Sequence, residues 1–328
     1  MTSRSELPTP PVLVLAYRRP DLVAEVMRAI AQAKPRKLFL ACDGPHPDRP
    51  GEVALVAATR SAMEAAITWD CEVHTRYSDT NQGCRRGVEG AISWFFDHVE
   101  EGIILEDDCI PHADFFPYCA ELLDRYREDS RVMHISGDAA LPHPASGSGA
   151  SYVFSAEALV WGWATWRRAW ERYDSDLRMW ERMRSDPAAS RRVFGSRPAA
   201  LWWSRVLDRL LLEGRPDSWA YRWSFSVMAN RGVCTIPAVN LVSNVGFRED
   251  STHTFSPGSV RAHGRVQSIL PLRHPAGIIV DRRADGLFQR QLRGFTRNSA
   301  FGTVQWVSVI LRRVVGRLRR ATGGRPSA

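Results

Sequence analysis

The sequence predicts an α/β fold built on a mixed but mostly parallel sheet flanked by helices, and three observations carry that prediction. Between residues 12 and 105, short continuous apolar runs alternate with stretches of helical apolar spacing. Runs of that kind mark strands covered on both faces, and strand–helix alternation marks a parallel sheet. The runs end in charged or turn residues: Arg18 and Arg19 after the first, Asp43 after the second, and Glu106-Asp107-Asp108 after the last. In such sheets ligands bind outside the carboxyl ends of the strands, so the same pattern that predicts the fold predicts the site.

Taken in order, Val12 to Ala16 (VLVLA) is the first strand, and it stops at Tyr17-Arg18-Arg19-Pro20-Asp21. Leu22, Val23, Val26, Met27 and Ile30 then recur at helical spacing. KLFLACDGP is a second strand closed by a turn signal at Asp43-Gly44-Pro45. A helix follows near Val53 to Ile67, a strand around Cys71 to Tyr77, a helix over 87–99, and a strand from Gly102 to Leu105 that carries the acids into solvent.

The second half differs in character. Nine of the twelve tryptophans fall between Trp161 and Trp223, and LPHPASGSGASY before them reads as a loop. Residues 225–256 offer strand-like and turn-like pieces. The tail over 301–320, FGTVQWVSVILRRVVGRLRR, has apolar residues at helical spacing and arginines gathered toward its end. A basic amphipathic helix of this kind can lie on an anionic membrane surface, or it can pack on the core with its arginines solvated. Both readings stand at this point.

Bulk properties narrow the classes. A chain of 328 residues has room for one large domain or two ordinary ones. Its charge is +8, and only Lys34 and Lys37 are lysines among 44 basic residues. That skew reads as genome composition rather than a nucleic-acid footprint, so no nucleic-acid partner is expected. The six cysteines are scattered, without zinc spacing, and read as reduced, mostly buried thiols. The N-terminal MTSRSELPTPP has no apolar h-region, and no stretch reaches the roughly 18 apolar residues of a membrane span, so the expected location is cytoplasmic.

The chemistry centres on IILEDDCIP, residues 103–111. Three adjacent carboxylates repel one another, and burying any of them unpaired is costly, so something positive belongs there. Hard oxygen ligands on a short loop suit Mg²⁺ or Mn²⁺, which take one or two carboxylates together with phosphate oxygens. The alternative is a solvated acidic turn.

VLVLAYRRP, LFLACDGP, NQGCRRGVEGAISWFF and GIILEDDCIPHADFFPYC, followed by HISGD, WGWATWRRAW, DSWAYRWSF and NLVSNVGF with THT, occur in that order. As an ordered set over residues 10–256 they resemble the nucleotide-diphospho-sugar glycosyltransferases of the GT-A fold. The resemblance is nearest to the N-acetylglucosaminyltransferase I type and to bacterial hemolytic-protein-like or family 2 transferases. It implies a nucleotide-binding half over 10–140, an acceptor half over 151–256, a peripheral linker over 257–300 and the amphipathic helix over 301–320.

The resemblance also implies roles. Asp108 would ligate the metal, Asp107 would lie near the ribose or the metal's water shell, and Glu106 would orient the sugar or the loop. Arg19 and Asp43 would contact the base, Asp43 accepting from uracil N3–H, which makes UDP the expected carrier. Asn81, Arg85 and Arg86 would lie near the nucleotide or diphosphate, where a guanidinium fork fits; otherwise they are a helix's first turn with surface arginines. His253 would be a further metal or phosphate ligand.

Inversion at an anomeric carbon needs a carboxylate near the acceptor hydroxyl. Related sequences tend to carry an acid where this chain has Ala220, so the role falls to Asp217, whose alternative role is a helix cap. WGWATWRRAW at helical spacing reads first as helix and core, while Trp161, Trp163, Trp219 and Trp223 are the candidates for the sugar and acceptor cleft. The expected activity is transfer from a UDP-sugar to a glycan or lipid-linked acceptor in envelope or exopolysaccharide assembly. The alternatives are a sugar-phosphate nucleotidyltransferase, for which the first loop lacks glycine, and a donor-binding relative without activity.

Overall fold

A computed structural model of the chain describes residues 7–139, 149–246 and 268–293. In chain order the first half forms β1 (Val12–Ala16), α1 (Pro20–Ala33), β2 (Lys37–Cys42), α2 (Glu52–Ala65), β3 (Glu72–Tyr77), α3 (Gly83–His98), β4 (Glu101–Glu106), β5 (Cys109–Pro111), α4 (Phe115–Arg125) and β6 (Val132–Ser136). The second half adds β7 (Tyr152–Ser155), β8 (Trp163–Trp166), α5 (Arg167–Trp170), α6 (Arg178–Met183), α7 (Pro187–Phe194), α8 (Arg197–Leu212), α9 (Trp219–Ala229), β9 (Val233–Pro237), β10 (Val242–Asn244) and α10 (Arg282–Arg293).

Eight strands make one sheet in the order β3-β2-β1-β4-β8-β6-β9-β7, and β5 pairs with β10 in a separate ribbon. The β3-β2-β1-β4 run is parallel, as is β6 with β9, whereas β8 is antiparallel to both its neighbours and β7 is antiparallel to β9. The apolar run of β1 is continuous because both faces are covered. Val12, Val14 and Ala16 join the core with Val23 and Val26 of α1 and Met63 of α2, while Leu13 and Leu15 pack with Ala91, Ile92 and Phe95 of α3. The strands predicted over 12–16, 37–42, 71–77 and 102–105 are all present, with small shifts at their ends.

Two expectations change. The run WGWATWRRAW is strand before it is helix: Trp163–Trp166 forms β8, wedged between β4 and β6. Tryptophans at 163 and 166 fit a helical stripe, yet in β8 their side chains enter different cores, Trp163 with α3 and α9, Trp166 with α4. The stretch expected as a peripheral linker contributes α10, whose Ala284 and Phe288 are buried against Val153, Leu159 and Ile236. The amphipathic helix predicted over 301–320 lies outside the described residues. Among those residues, no helix is long and apolar enough to cross a membrane.

At the centre of the aromatic core stands His134 of β6, fully buried. Its Nε2 pairs with the Leu159 carbonyl at 2.9 Å and its Nδ1 with the Trp223 indole N–H at 3.1 Å. A carbonyl only accepts and an indole N–H only donates, so the ring is the neutral tautomer protonated on Nε2. Burial holds its pKa down at about 4, against a smaller opposite pull from the Leu159 carbonyl. The unfolded chain takes up this proton near pH 6.5 and the folded chain only near pH 4, so the histidine's contribution is complete above 6.5 and is lost as pH falls toward 4. The loss is expected to reach about 3 kcal/mol. In urea unfolding compared at pH 7 and pH 4.5, His134→Gln should lose this component of the pH slope, and an unchanged slope would remove His134 as its source.

Candidate functional site

The chain leaves β1 toward β2 and β3 on one side and returns to β4 on the other, so the crevice between the ends of β1 and β4 is a topological switch point. A cavity of about 700 Å³ opens there. Its walls include Arg19, Asp43, Asn81, Glu106, Asp107 and Asp108 from the first half, and Trp161, Asp217 and Trp219 from the second. Cys84 lies between the halves: burial first, then Glu106, Asp217 and Asp43, push its thiol up to about 12.

Register sets the acid loop against β1. Leu15 pairs with Glu106, so the residues just beyond each strand face one another. The Tyr17 amide donates to Asp107 Oδ2 at 3.1 Å. Arg19, at the start of α1, donates from Nη1 to Asp108 Oδ2 at 2.8 Å and from Nη2 to Asp107 Oδ1. Arg19 was expected on a nucleotide base; here it is the counter-charge to the acids, because they are the nearest uncompensated negative charge. One guanidinium does not balance three carboxylates. Burial and then the neighbouring acids push the Glu106 carboxyl up; burial pushes Asp107 up despite Arg19.

Two residues without a predicted role complete the loop. Asn244 Nδ2 donates to Asp108 Oδ1 at 3.4 Å, and the Gly246 amide donates to Asn244 Oδ1 at 2.8 Å. A Cβ at residue 246 would stand 2.1 Å from Asp108 Oδ2, so only glycine lets the backbone come this close. Asn244 is 136 residues from Asp108; the sequence marked its stretch, NLVSNVGF, as part of the resemblance but gave no sign of which residue that stretch would meet.

Asp43 is saturated. Its Oδ1 accepts from the Gly44 amide at 2.8 Å and the Gln82 amide at 2.9 Å, and its Oδ2 accepts from the Gly83 amide at 3.2 Å and Asn81 Nδ2 at 3.1 Å. Burial raises its pKa against the pull of those amides. Little acceptor capacity remains for a base N–H. Asp43 instead caps the first turn of α3, and Asn81 holds it there.

Asp217 is solvent-exposed and meets the same helix end: its Oδ2 accepts from the Arg85 amide at 3.2 Å. It therefore caps α3, across the cavity, and not α9, whose N-cap is Ser218. The Arg85 guanidinium turns away to the Ser175 carbonyl and hydroxyl, both at 3.0 Å, and toward Glu89. Arg86 is exposed and lies outside the cavity wall. Neither arginine lines the cavity, because α3 borders it through the face that carries Gly83, Cys84, Gly87, Val88 and Ala91.

Of the four tryptophans expected at the cleft, Trp163 and Trp223 are fully buried core. Trp163 stacks on His134 at 4.9 Å and on Trp219 at 5.6 Å between ring centroids. Trp161 and Trp219 border the cavity, as does Trp202 of α8, which the sequence did not single out. His253 lies outside the described residues. A further missed cluster is Glu52, nearly buried, accepting from the Tyr17 hydroxyl, from Arg18 at 2.7 Å and from the His46 amide at 2.9 Å. Burial raises its pKa, but these donors outweigh burial and bring the carboxyl down to about 2.

Among the described residues no three His, Cys, Asp or Glu side chains form a closed metal cage. Asp107 and Asp108 nonetheless fit a divalent ion of the Mg²⁺ or Mn²⁺ kind, which needs only one or two carboxylates when phosphate oxygens supply the rest. The loop's shortage of positive charge favours that fit. The chain matches no protein-family model, and no curated protein matches it by sequence.

If Asp43 acts as an internal cap, Asp43→Ala should lower stability by about 1–2 kcal/mol in denaturant titrations without any nucleotide. Unchanged stability would return Asp43 to a purely ligand-facing role.

Proposed function

We propose that the chain is a GT-A glycosyltransferase that uses Mg²⁺ or Mn²⁺ to move a sugar from a nucleotide-diphospho-sugar to a glycan or lipid-linked acceptor, by single-displacement inversion. UDP as the carrier comes from the sequence resemblance alone, since Asp43 has no free oxygen for a base N–H. The observation that carries this reading is the meeting, in one cavity at the switch point, of the Glu106–Asp108 loop and the exposed carboxylate of Asp217 from the other half of the chain. A volume of about 700 Å³ suits a nucleotide sugar.

Asp107 and Asp108 would hold the ion, which would supply Lewis-acid stabilisation of the charge that grows on a diphosphate leaving group. Glu106, whose carboxyl lies among the charges of Asp108, Asp107 and Arg19, would take a hydroxyl of the donor sugar. Asp217 would accept the acceptor's hydroxyl proton as that oxygen bonds to the anomeric carbon and the sugar–phosphate bond breaks, its electron pair leaving with UDP. Trp161 and Trp202 would offer flat faces to sugar C–H groups. A peripheral place at the inner membrane face, through residues 301–320, and a role in envelope or exopolysaccharide assembly belong to the same proposal.

One observation favours a second reading, a donor-binding relative without transferase activity. Asp217 has a structural partner in the Arg85 amide, and Ala220 beside it in the cavity wall is not an acid.

Asp108→Ala should weaken Mn²⁺-dependent UDP binding at least tenfold by calorimetry, and wild-type affinity in that variant would sink the metal assignment. Asp217→Asn should keep UDP binding and lose about 10²–10⁴-fold in UDP-sugar turnover. Full turnover in Asp217→Asn removes it from the mechanism, and UDP binding without turnover in the wild type selects the second reading.

A further inference from the structure

We infer that Arg19 is a built-in competitor of the divalent ion, holding Asp107 and Asp108 until a diphosphate arrives, so that metal and nucleotide bind the acid loop together and neither binds it well alone. This inference rests on the metal reading above and adds an order of binding to it.

The geometry is specific. The Arg19 fork spans the two aspartates, with Nη1 at 2.8 Å from Asp108 Oδ2 and Nη2 on Asp107 Oδ1. Asp108 Oδ2 is the oxygen against which the Gly246 backbone closes, and Asp108 Oδ1 faces Asn244. The loop thus has Arg19 where a cation belongs. A metal ion sits about 2 Å from its carboxylate oxygen, so an ion on Asp108 Oδ2 would share that oxygen with a guanidinium nitrogen at 2.8 Å. Two cations on one oxygen repel, and either weakens the other.

Arg19 has somewhere to go. Its side chain is 15% exposed and borders the cavity. A diphosphate in that cavity adds enough negative charge to hold both cations, and guanidinium–phosphate pairing is at least as favourable in geometry as guanidinium–carboxylate. Swinging from the aspartates to a phosphate would free the metal oxygens while keeping Arg19 paired. By linkage, the nucleotide must then tighten metal binding by the same factor by which metal tightens nucleotide binding.

The test is Mn²⁺ titration by calorimetry on wild type, Arg19→Gln and Arg19→Lys, each with MnCl₂ alone and with saturating UDP. Wild type should bind Mn²⁺ alone weakly and at least tenfold more tightly with UDP. Arg19→Gln should bind Mn²⁺ alone at least tenfold more tightly than wild type, and the gain from UDP should shrink. Arg19→Lys, which keeps the charge, should stay near wild type for Mn²⁺ alone. Equal or weaker binding of Mn²⁺ alone in Arg19→Gln overturns the inference and leaves the metal reading intact. Should Arg19→Gln not fold, absence of Mn²⁺–UDP coupling in wild type overturns it equally. No Mn²⁺ binding by wild type even with UDP overturns the metal reading itself.

Discussion

Arg19 carries a single positive charge to the end of a strand that delivers three negative ones, and the rest of the site is arranged around that imbalance. The contact depends on register: because Leu15 lies opposite Glu106, the Tyr17 amide and the Arg19 side chain meet Asp107 and Asp108 just beyond that pair. Pro20, which opens α1, keeps Arg19 from being drawn into the helix and leaves it at the cap. Removing one partner of a buried ion pair typically costs about 3–5 kcal/mol, because the other charge stays behind unpaired. Arg19 is therefore the cation that lets β4 end in these acids while no other cation is bound to them.

The first turn of α3 provides the second constraint. A helix leaves its first N–H groups without partners, and its N-terminus favours negative charge. Here Asp43 takes the Gln82 and Gly83 amides and Asp217 takes the Arg85 amide, so acids from two distant parts of the chain share one helix end. Gly83, with φ of +81°, lets the backbone present those amides, and a Cβ there would lie 2.9 Å from Asp217 Oδ2. The same contact adds a tie between the two halves, whose main joint is β8 inserted between β4 and β6. Arg222, buried in α9, adds to it by donating to the Ser218 carbonyl at 2.8 Å and the Ser175 carbonyl at 2.9 Å, the latter also held by Arg85.

Much of the parallel part of the sheet was legible, because continuous apolar runs between turn residues are a local signal that burial on both faces produces directly. The acid loop was legible for the same reason. Side-chain roles were not, since they depend on which loops meet. Asp43 reads as a ligand contact until the amides of 82 and 83 are placed on it. Trp163 and Trp223 read as a sugar platform until His134 of β6 is found stacked on the one and hydrogen-bonded to the other, making both part of the core. The strand identity of Trp163–Trp166 was masked by composition, because tryptophans three apart satisfy a helical stripe and a doubly buried strand alike. Glu52 gave no sign at all: its partners Tyr17 and Arg18 are more than 30 residues away.

The distribution of engaged oxygens narrows which acid would handle a proton. Five acids border the cavity among the described residues: Asp43, Glu106, Asp107, Asp108 and Asp217. Asp43 has both oxygens committed to backbone amides and Asn81. Asp107 is committed to Arg19 and Tyr17, and Asp108 to Arg19 and Asn244. Glu106 sits in the acid cluster, where a diphosphate and its counter-ion would gather. Asp217 alone comes from the wall shared with Ala220 and Tyr221, engages one oxygen with Arg85, and is exposed to solvent. A hydroxyl arriving past Trp161 and Trp202 would meet that carboxylate apart from the cluster. With alanine at position 220, that wall carries one acid among the described residues, Asp217.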